Sequence, residues 1–197
     1  GLVVVFFLGI YQAADPDTYV RIALRFAPNQ HRARIRHTLG RMFDNLRRWL
    51  FGRLVAMAFV AIACGVAFTL FGLPLALPLA LLAGLLTFVE YVGAVASGVP
   101  PILLAFVQGP ARALEILIFF TLLHVLEGYV LTPLLARTTV HLPPAGTLAT
   151  QVLLAALLGP LGLTFATPLL VVAVTGVKEW SGQRGARARA FAEASAD

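Results

Sequence analysis

Between Leu54 and Val177 the only formally charged side chains are Glu90, Arg112, Glu115, Glu127 and Arg137. Apolar runs approaching the roughly 20 residues that cross a hydrocarbon core recur through this stretch. Over the whole chain 59% of residues are hydrophobic and 12% charged, against about 25% charged in a typical soluble domain. A water-soluble fold has no interior large enough for so much apolar surface, so the sequence specifies a helical membrane protein.

The formal net charge is +6, and nine of the fifteen basic residues fall between Arg21 and Arg53, just before the first long apolar run. Basic residues beside a span are held on the cytoplasmic side and attract anionic lipid. The block is therefore a topology signal, and no nucleic-acid recognition motif accompanies it. The single cysteine, Cys64, lies within an apolar run and cannot pair internally or complete a thiolate metal site. It reads as a filler facing lipid or a neighbouring helix.

Four regions follow. Residues 1–12 read as the end of an upstream transmembrane helix, too short to cross alone. Residues 13–53 form a basic amphipathic cytoplasmic helical segment: Asp15 and Pro16 suit a helix start, and a second helix is expected from about Gln30 to Arg53. Its Ile35, Leu39, Met42, Phe43, Leu46, Trp49 and Leu50 share one stripe at helical spacing. Such a helix either lies at the membrane surface, with the Trp49 ring half wet, or packs on its neighbours as a connector. Residues 54–178 are the transmembrane bundle, and 179–197 a polar cytoplasmic tail read as disordered.

Within the bundle, spans are expected at 54–71, 75–89, 92–108 and 111–132, with a tight turn at Gly72-Leu73-Pro74. Ala80 and Gly84 have the spacing that lets another helix approach closely. The glycines of EYVGAVASGVPP, with Pro100 and Pro101, should loosen the backbone near Gly93. The last apolar run, Leu148 to Val177, would measure about 45 Å as straight helix, longer than a core of about 30 Å. Both it and the tail must satisfy the cytoplasmic bias of basic residues, which favours a hairpin turning near Gly159 to Gly162. Irregular backbone at membrane depth is tolerated only inside protein or beside a wet cavity, so this turn is a candidate pathway element.

Ionisable groups within spans are costly and often mark a substrate, ion or proton route. Glu127 lies one helical turn after His124, and the pair could bind a cation or carry a proton. Alternatively Glu127 pairs with Arg137, beyond the break at Pro133, or with a basic residue elsewhere, and only fixes helix register. Glu90 faces a central cavity if the backbone opens at Gly93 and is otherwise solvated at the interface. Arg112 and Glu115 form an interfacial pair, His141 is a boundary residue, and Ser97 is small-residue packing. No nucleotide loop, catalytic base and nucleophile pair, or matched metal-ligand set is present in the sequence. An enzyme, a cofactor and a metal site are therefore not expected.

The order LRRWLFGRL, FGLPLAL, LLAGLLTFVEYVGAVASGVPPILLAF, HVLEGYVLTPLLARTTVHLPPA and LLGPLGLTFATPL resembles the autoinducer-2 exporter (AI-2E) family of bacterial inner-membrane transporters, from IYQAADPDTY to about Trp180. The resemblance implies an all-α, polytopic transport protein with several spans, some of them before this chain's start, and with broken or re-entrant helices. It places family motifs at Tyr91 and Gly93, at Glu127, Gly128 and Pro133, and at Gly159, Gly162 and Pro168. Glu90 and Ala94 depart from it, standing where prolines are usual, so the break near Gly93 should be less sharp and an extra carboxylate is introduced.

The reading that follows is a multi-pass secondary permease of the bacterial inner membrane that exports a small polar solute such as a signalling molecule, with Glu127, Glu90, His124 and Arg137 as transport or coupling candidates. Its partners are the lipid bilayer and the solute or ion, with a homo-oligomer compatible and no nucleic acid. The alternatives are a sodium (cation)/proton antiporter using Glu127 and Glu90, and a non-transporting scaffold whose arginine helix holds a cytoplasmic partner.

Overall fold

A computed structural model describes residues 32–131, 133–134 and 142–194, with side chains as far as Ser181. The expectations for residues 1–31, for Arg137 and His141, and for the last three residues of the tail lie outside the described residues. All regular structure among the described residues is helical: α1 (Arg32–Leu70), α2 (Ala76–Leu86), α3 (Val92–Gln108), α4 (Pro110–Leu126) with a π-helical turn over Glu127–Leu131, and α5 (Pro144–Ala194). An all-α membrane protein is what the apolar runs require, because helices satisfy every backbone group internally.

Several expected boundaries change. The basic helix and the first span are one continuous 39-residue helix, α1. Gly52 is the one glycine between Trp49 and Ala56, with no proline beside it; a single interior glycine costs a helix about 1 kcal/mol without ending it, and α1 runs on through Arg53. The expected span at 75–89 is only the 11-residue α2, which rises about 16 Å, half of a hydrocarbon core. Among the described residues three helices, Arg32–Leu70, Pro110–Leu131 and Pro144–Ser181, are by length and composition able to cross a membrane, so the four crossings expected before residue 132 are not four full-length helices. Pro100 and Pro101 lie inside α3 without ending it. The break falls earlier, at 87–91.

Two compact units are present. Among the described residues, 47–171 belong to one and 32–46 with 172–194 to the other. In the first, α1 turns through 71–75 into α2, with left-handed backbone at Gly72 and Leu75, and α3 turns at Gly109 into α4. Gln108 Nε2 donates to the Gly72 carbonyl at 3.3 Å and the Arg112 guanidinium lies over the Phe71 ring, so both turns occupy one end of this unit. Val60, Cys64, Phe68, Ala83, Ala105, Ile116 and Phe120 fill its core. Burial of Cys64 resolves its two sequence readings in favour of helix packing.

The small-residue spacing at Ala80 and Gly84 serves as expected. A Cβ on Gly84 would stand 2.6 Å from the Ala61 Cβ and 2.8 Å from the Met57 carbonyl oxygen, so α1 and α2 approach backbone to backbone. In α5 the backbone breaks at Gly159 (φ 63°, ψ −145°). A Cβ on Gly162 would collide with the carbonyl of Leu154, eight residues earlier and about 12 Å away in a straight helix. The chain therefore doubles back, and arms 144–158 and 160–194 form the hairpin that the length argument favoured.

In the second unit the stripe of α1 packs on the end of α5, as in the connector reading. Ile35, Leu39 and Met42 with Gly176, Val177 and Trp180 line an apolar groove of about 420 Å³. Polar groups flank it: Arg34 Nη2 donates to the Trp180 carbonyl at 3.1 Å, Arg41 Nε to Glu179 Oε1 at 3.2 Å, and Asn45 Nδ2 to Thr175 Oγ1 at 3.2 Å.

Candidate functional site

α1 carries Trp49, Arg53, Ala56 and Val60 at helical spacing, so Arg53 sits on the buried stripe of the helix rather than with the exposed arginines Arg36, Arg41, Arg47 and Arg48. Its side chain is 11% exposed. The guanidinium needs partners there, because a buried charge without hydrogen bonds is costly. It finds them where α2 ends. Arg53 Nε donates to the Phe88 carbonyl at 3.1 Å and Nη2 to the Thr87 carbonyl, satisfying acceptors that a helix C-terminus leaves open.

The link that follows is tightly wound. Tyr91 has φ 59° and ψ −62°, and the Val92 N–H bonds to the Glu90 carbonyl at 2.6 Å. That is a γ-turn of the rare, strained hand. Gly93 stands two residues later because its Cα packs against the Leu86 carbonyl, where any Cβ would collide. Gln151, from the first arm of α5, donates Nε2 to the same Glu90 carbonyl at 3.1 Å. The Trp49 side chain lies beside the Glu90 carboxylate, and its ring packs edge-on against Phe88 at 5.9 Å. Trp49 is 9% exposed, so it is a buried wall of the site and not the half-wet interfacial ring expected.

Glu127 enters from α4, where the α-helical ladder widens into the π-turn two turns before Pro133. A proline ring cannot sit against the carbonyl four residues back in a regular helix, and single π-turns accommodate such local misfits. Glu127 is 8% exposed. Its Oε1 lies 3.9 Å from Arg53 Nη1, and Glu90 Oε1 lies 3.8 Å from the same nitrogen. Both separations exceed the roughly 2.7–2.9 Å of a direct charge-assisted hydrogen bond. Arg53 thus spends its close bonds on two carbonyls and balances the two carboxylates across a gap.

The second oxygen of Glu127 is held more closely: His124 Nδ1 and Glu127 Oε2 are 2.9 Å apart. An ionised carboxylate only accepts, so Nδ1 carries the proton and Nε2 presents its lone pair. Nε2 is buried with no hydrogen-bond partner among the described residues, as is Gln151 Oε1. The Phe120 ring stands 4.8 Å from the imidazole. The site is therefore rich in acceptors and holds two carboxylates around one guanidinium. Among the described residues no group of three or more His, Cys, Asp or Glu side chains could hold a metal ion.

Three of the four coupling candidates, Glu127, Glu90 and His124, thus meet in one cluster, and Arg137 lies outside the described residues. Tyr91 and Gly93 build the link beside it. Gly128 lies in the π-turn, where among the described residues nothing stands within 4 Å of the place a Cβ would take, and Pro133 is exposed beyond it. Gly159 makes the α5 hairpin about 12 Å along the arm from Gln151, with Gly162 at its close contact and Pro168 inside the second arm. Arg112 and Glu115 pair at 2.6 Å, Glu115 exposed and Arg112 partly so, and the pairing is the one the sequence indicated.

Sequence reasoning missed Arg53 and Gln151. For Arg53 a signal existed, since continuing the stripe from Trp49 by four residues and then three passes through it. For Gln151 there was none, because one amide in an apolar run has no pattern around it.

The family model for AI-2E family transporters matches residues 1–182. Among curated proteins, YueF of Bacillus subtilis (strain 168) is 25% identical over 171 residues, covering 87% of this chain and 46% of YueF. YrrI of the same organism is 25% identical over 166 residues, covering 84% of this chain and 47% of YrrI. Both are candidate transport proteins by name, and the chain spans about half the length of each. The helical membrane fold, the broken α2–α3 link and a family match over nearly all of the sequence agree: the chain belongs to the AI-2E transporter family.

Proposed function

We propose that this chain forms part of a multi-pass secondary permease of the bacterial inner membrane that exports a small polar solute such as a signalling molecule, with Glu127 as its coupling or gating group. The observation that carries the reading is the cluster of Arg53, Glu90, Glu127 and His124, with Glu127 buried and the other three partly so, drawn from three separate elements to a place where two helices are interrupted. Charged groups inside a bundle are retained where they serve a pathway, and interrupted helices free polar backbone to line one. The bilayer supplies the solvent for the apolar outer faces, on which Leu70, Leu77 and Val107 are strongly exposed.

The test is efflux from liposomes containing the full-length protein and loaded with autoinducer-2. Glu127→Gln should suppress efflux while leaving the folded protein and its assembly intact. Release from wild-type vesicles at the rate of protein-free vesicles would remove the exporter reading.

A specific observation supports cation/proton antiport as a second reading. Two carboxylates share one guanidinium at 3.8 and 3.9 Å, an arrangement open to exchange with a further cation. An imposed sodium gradient that moves no protons in the same vesicles would exclude it.

A further inference from the structure

The charges of the cluster do not balance. Arg53 brings one positive charge, and Glu90 and Glu127, when both are ionised, bring two negative ones; among the described residues no other permanently charged side chain makes an ion pair with them. A net negative charge in a buried site within a membrane protein is expensive. The one group in the cluster able to supply the missing positive charge is the imidazole of His124, and the atom that would take the proton, Nε2, is buried and without a partner among the described residues.

We propose that His124 Nε2 is the proton-binding atom of this transporter, and that a proton taken up there draws Glu127 away from Arg53 and onto the imidazolium. This rests on the transport reading and names its coupling ion. The step is a simple protonation: a hydronium ion gives its proton to the Nε2 lone pair, Nδ1 keeps its own, and no other bond is made or broken. Neutral His124 already donates Nδ1–H to Glu127 Oε2 at 2.9 Å, so the geometry for the charged pair exists before the proton arrives.

The groups that face this event come from each neighbouring element. Arg53 of α1 opposes a second positive charge, whereas Glu127 on the imidazole's own segment and Glu90 on the α2–α3 link favour it. Tyr91 of the link and Gln151 of α5 are uncharged, and Phe120 presents only its ring. Once the imidazolium forms, Glu127 has a close cation at Oε2 and a distant one at 3.9 Å on Oε1. The distant contact is the one that yields, and it is the contact by which α1 holds the end of α4.

The experiment is a histidine-selective nitrogen NMR spectrum of the full-length protein in lipid nanodiscs at about pH 8 and about pH 5. The His124 signals are assigned by their loss in His124→Gln, or in His124→Asn if the first variant does not fold. The expected result is a protonated Nδ1 with bare Nε2 at the higher pH and two protonated nitrogens at the lower. An Nε2 that stays bare at both, as it would if sodium supplied the charge, overturns the proposal, and so does one protonated at both. In liposomes, wild-type autoinducer-2 efflux should differ at least about fivefold between the two pH values, a typical coupling magnitude, and His124→Gln should bring that ratio to about 1. A protein that moves no solute removes the transport reading, while the two spectra still decide the proton site.

Discussion

Arg53 Nη1 lies 3.8 Å from Glu90 Oε1, while Nε and Nη2 of the same guanidinium hold the carbonyls of Phe88 and Thr87. One side chain of α1 therefore fixes both the charge and the backbone of the link between α2 and α3. Removing it takes the guanidinium from both carboxylates and the donor from both helix-end carbonyls at once. Arg53→Gln should cost roughly 3 kcal/mol or more, the usual penalty for breaking a buried ion pair from one side. Thermal unfolding of the full-length protein in detergent would measure it. Glu90→Gln added to Arg53→Gln should recover part of the loss, giving a coupling energy of about 1 kcal/mol or more; strictly additive effects would mean that the two side chains do not interact.

Gly93 and Gly128 belong to two family motifs, yet their surroundings differ. A Cβ at Gly93 meets the Leu86 carbonyl, whereas at Gly128 nothing among the described residues lies within 4 Å. Gly93→Ala should therefore destabilise by about 3 kcal/mol, the upper range of overpacking, because a backbone atom cannot move aside as a side chain can. Gly128→Ala should fold with wild-type yield. Size-exclusion profiles and melting temperatures of both variants check the contrast, and equal behaviour would be incompatible with the α2–α3 packing.

Tyr91 sits at φ 59° in the strained γ-turn and its side chain is substantially exposed. Tyr91→Gly should relieve about 1–3 kcal/mol of backbone strain, offset by roughly 0.5–1 kcal/mol of glycine flexibility. The variant is expected to be as stable as wild type or slightly more so. A loss of several degrees in melting temperature would show that the ring contributes packing that its exposure hides.

Gly159 occupies φ 63°, ψ −145°, a region that only glycine enters without cost. Gly159→Ala should lose about 1–3 kcal/mol and favour a straighter α5. Paired spin labels at Thr150 and Thr164, one on each arm, would report the change: their separation should lengthen as the hairpin opens, and an unchanged distance in the variant would show that the packing of Gly162 alone maintains it.

Cys64 is fully buried in the α1 core. It should resist a maleimide reagent in the folded protein and react fully after denaturation. Rapid labelling under native conditions would place it on the lipid-facing surface instead.

Much of the architecture follows from local sequence. Continuous apolar runs demand helices in a membrane, Gly72 and Gly109 mark turns, and the 30-residue run from Leu148 must fold back because straight helix would overrun the bilayer. Glu127 with His124 was visible as a pair because residues one turn apart share a face by the geometry of the helix itself. These features depend on neighbours in the chain, and the sequence contains all that determines them.

The remaining features depend on contacts that chain order does not encode. Which groups meet Glu90, which cation balances Glu127, and why Gln151 interrupts an apolar helix were decided only when α1, the α2–α3 link, α4 and α5 came together. Arg53 shows the difference most plainly. By its neighbours it belongs with eight other basic residues on the flank of a span, but α1 continues through it without a break and turns it onto the stripe that begins at Trp49. Helical periodicity determined its direction, and tertiary packing supplied the two carboxylates and two carbonyls that make a buried guanidinium affordable there.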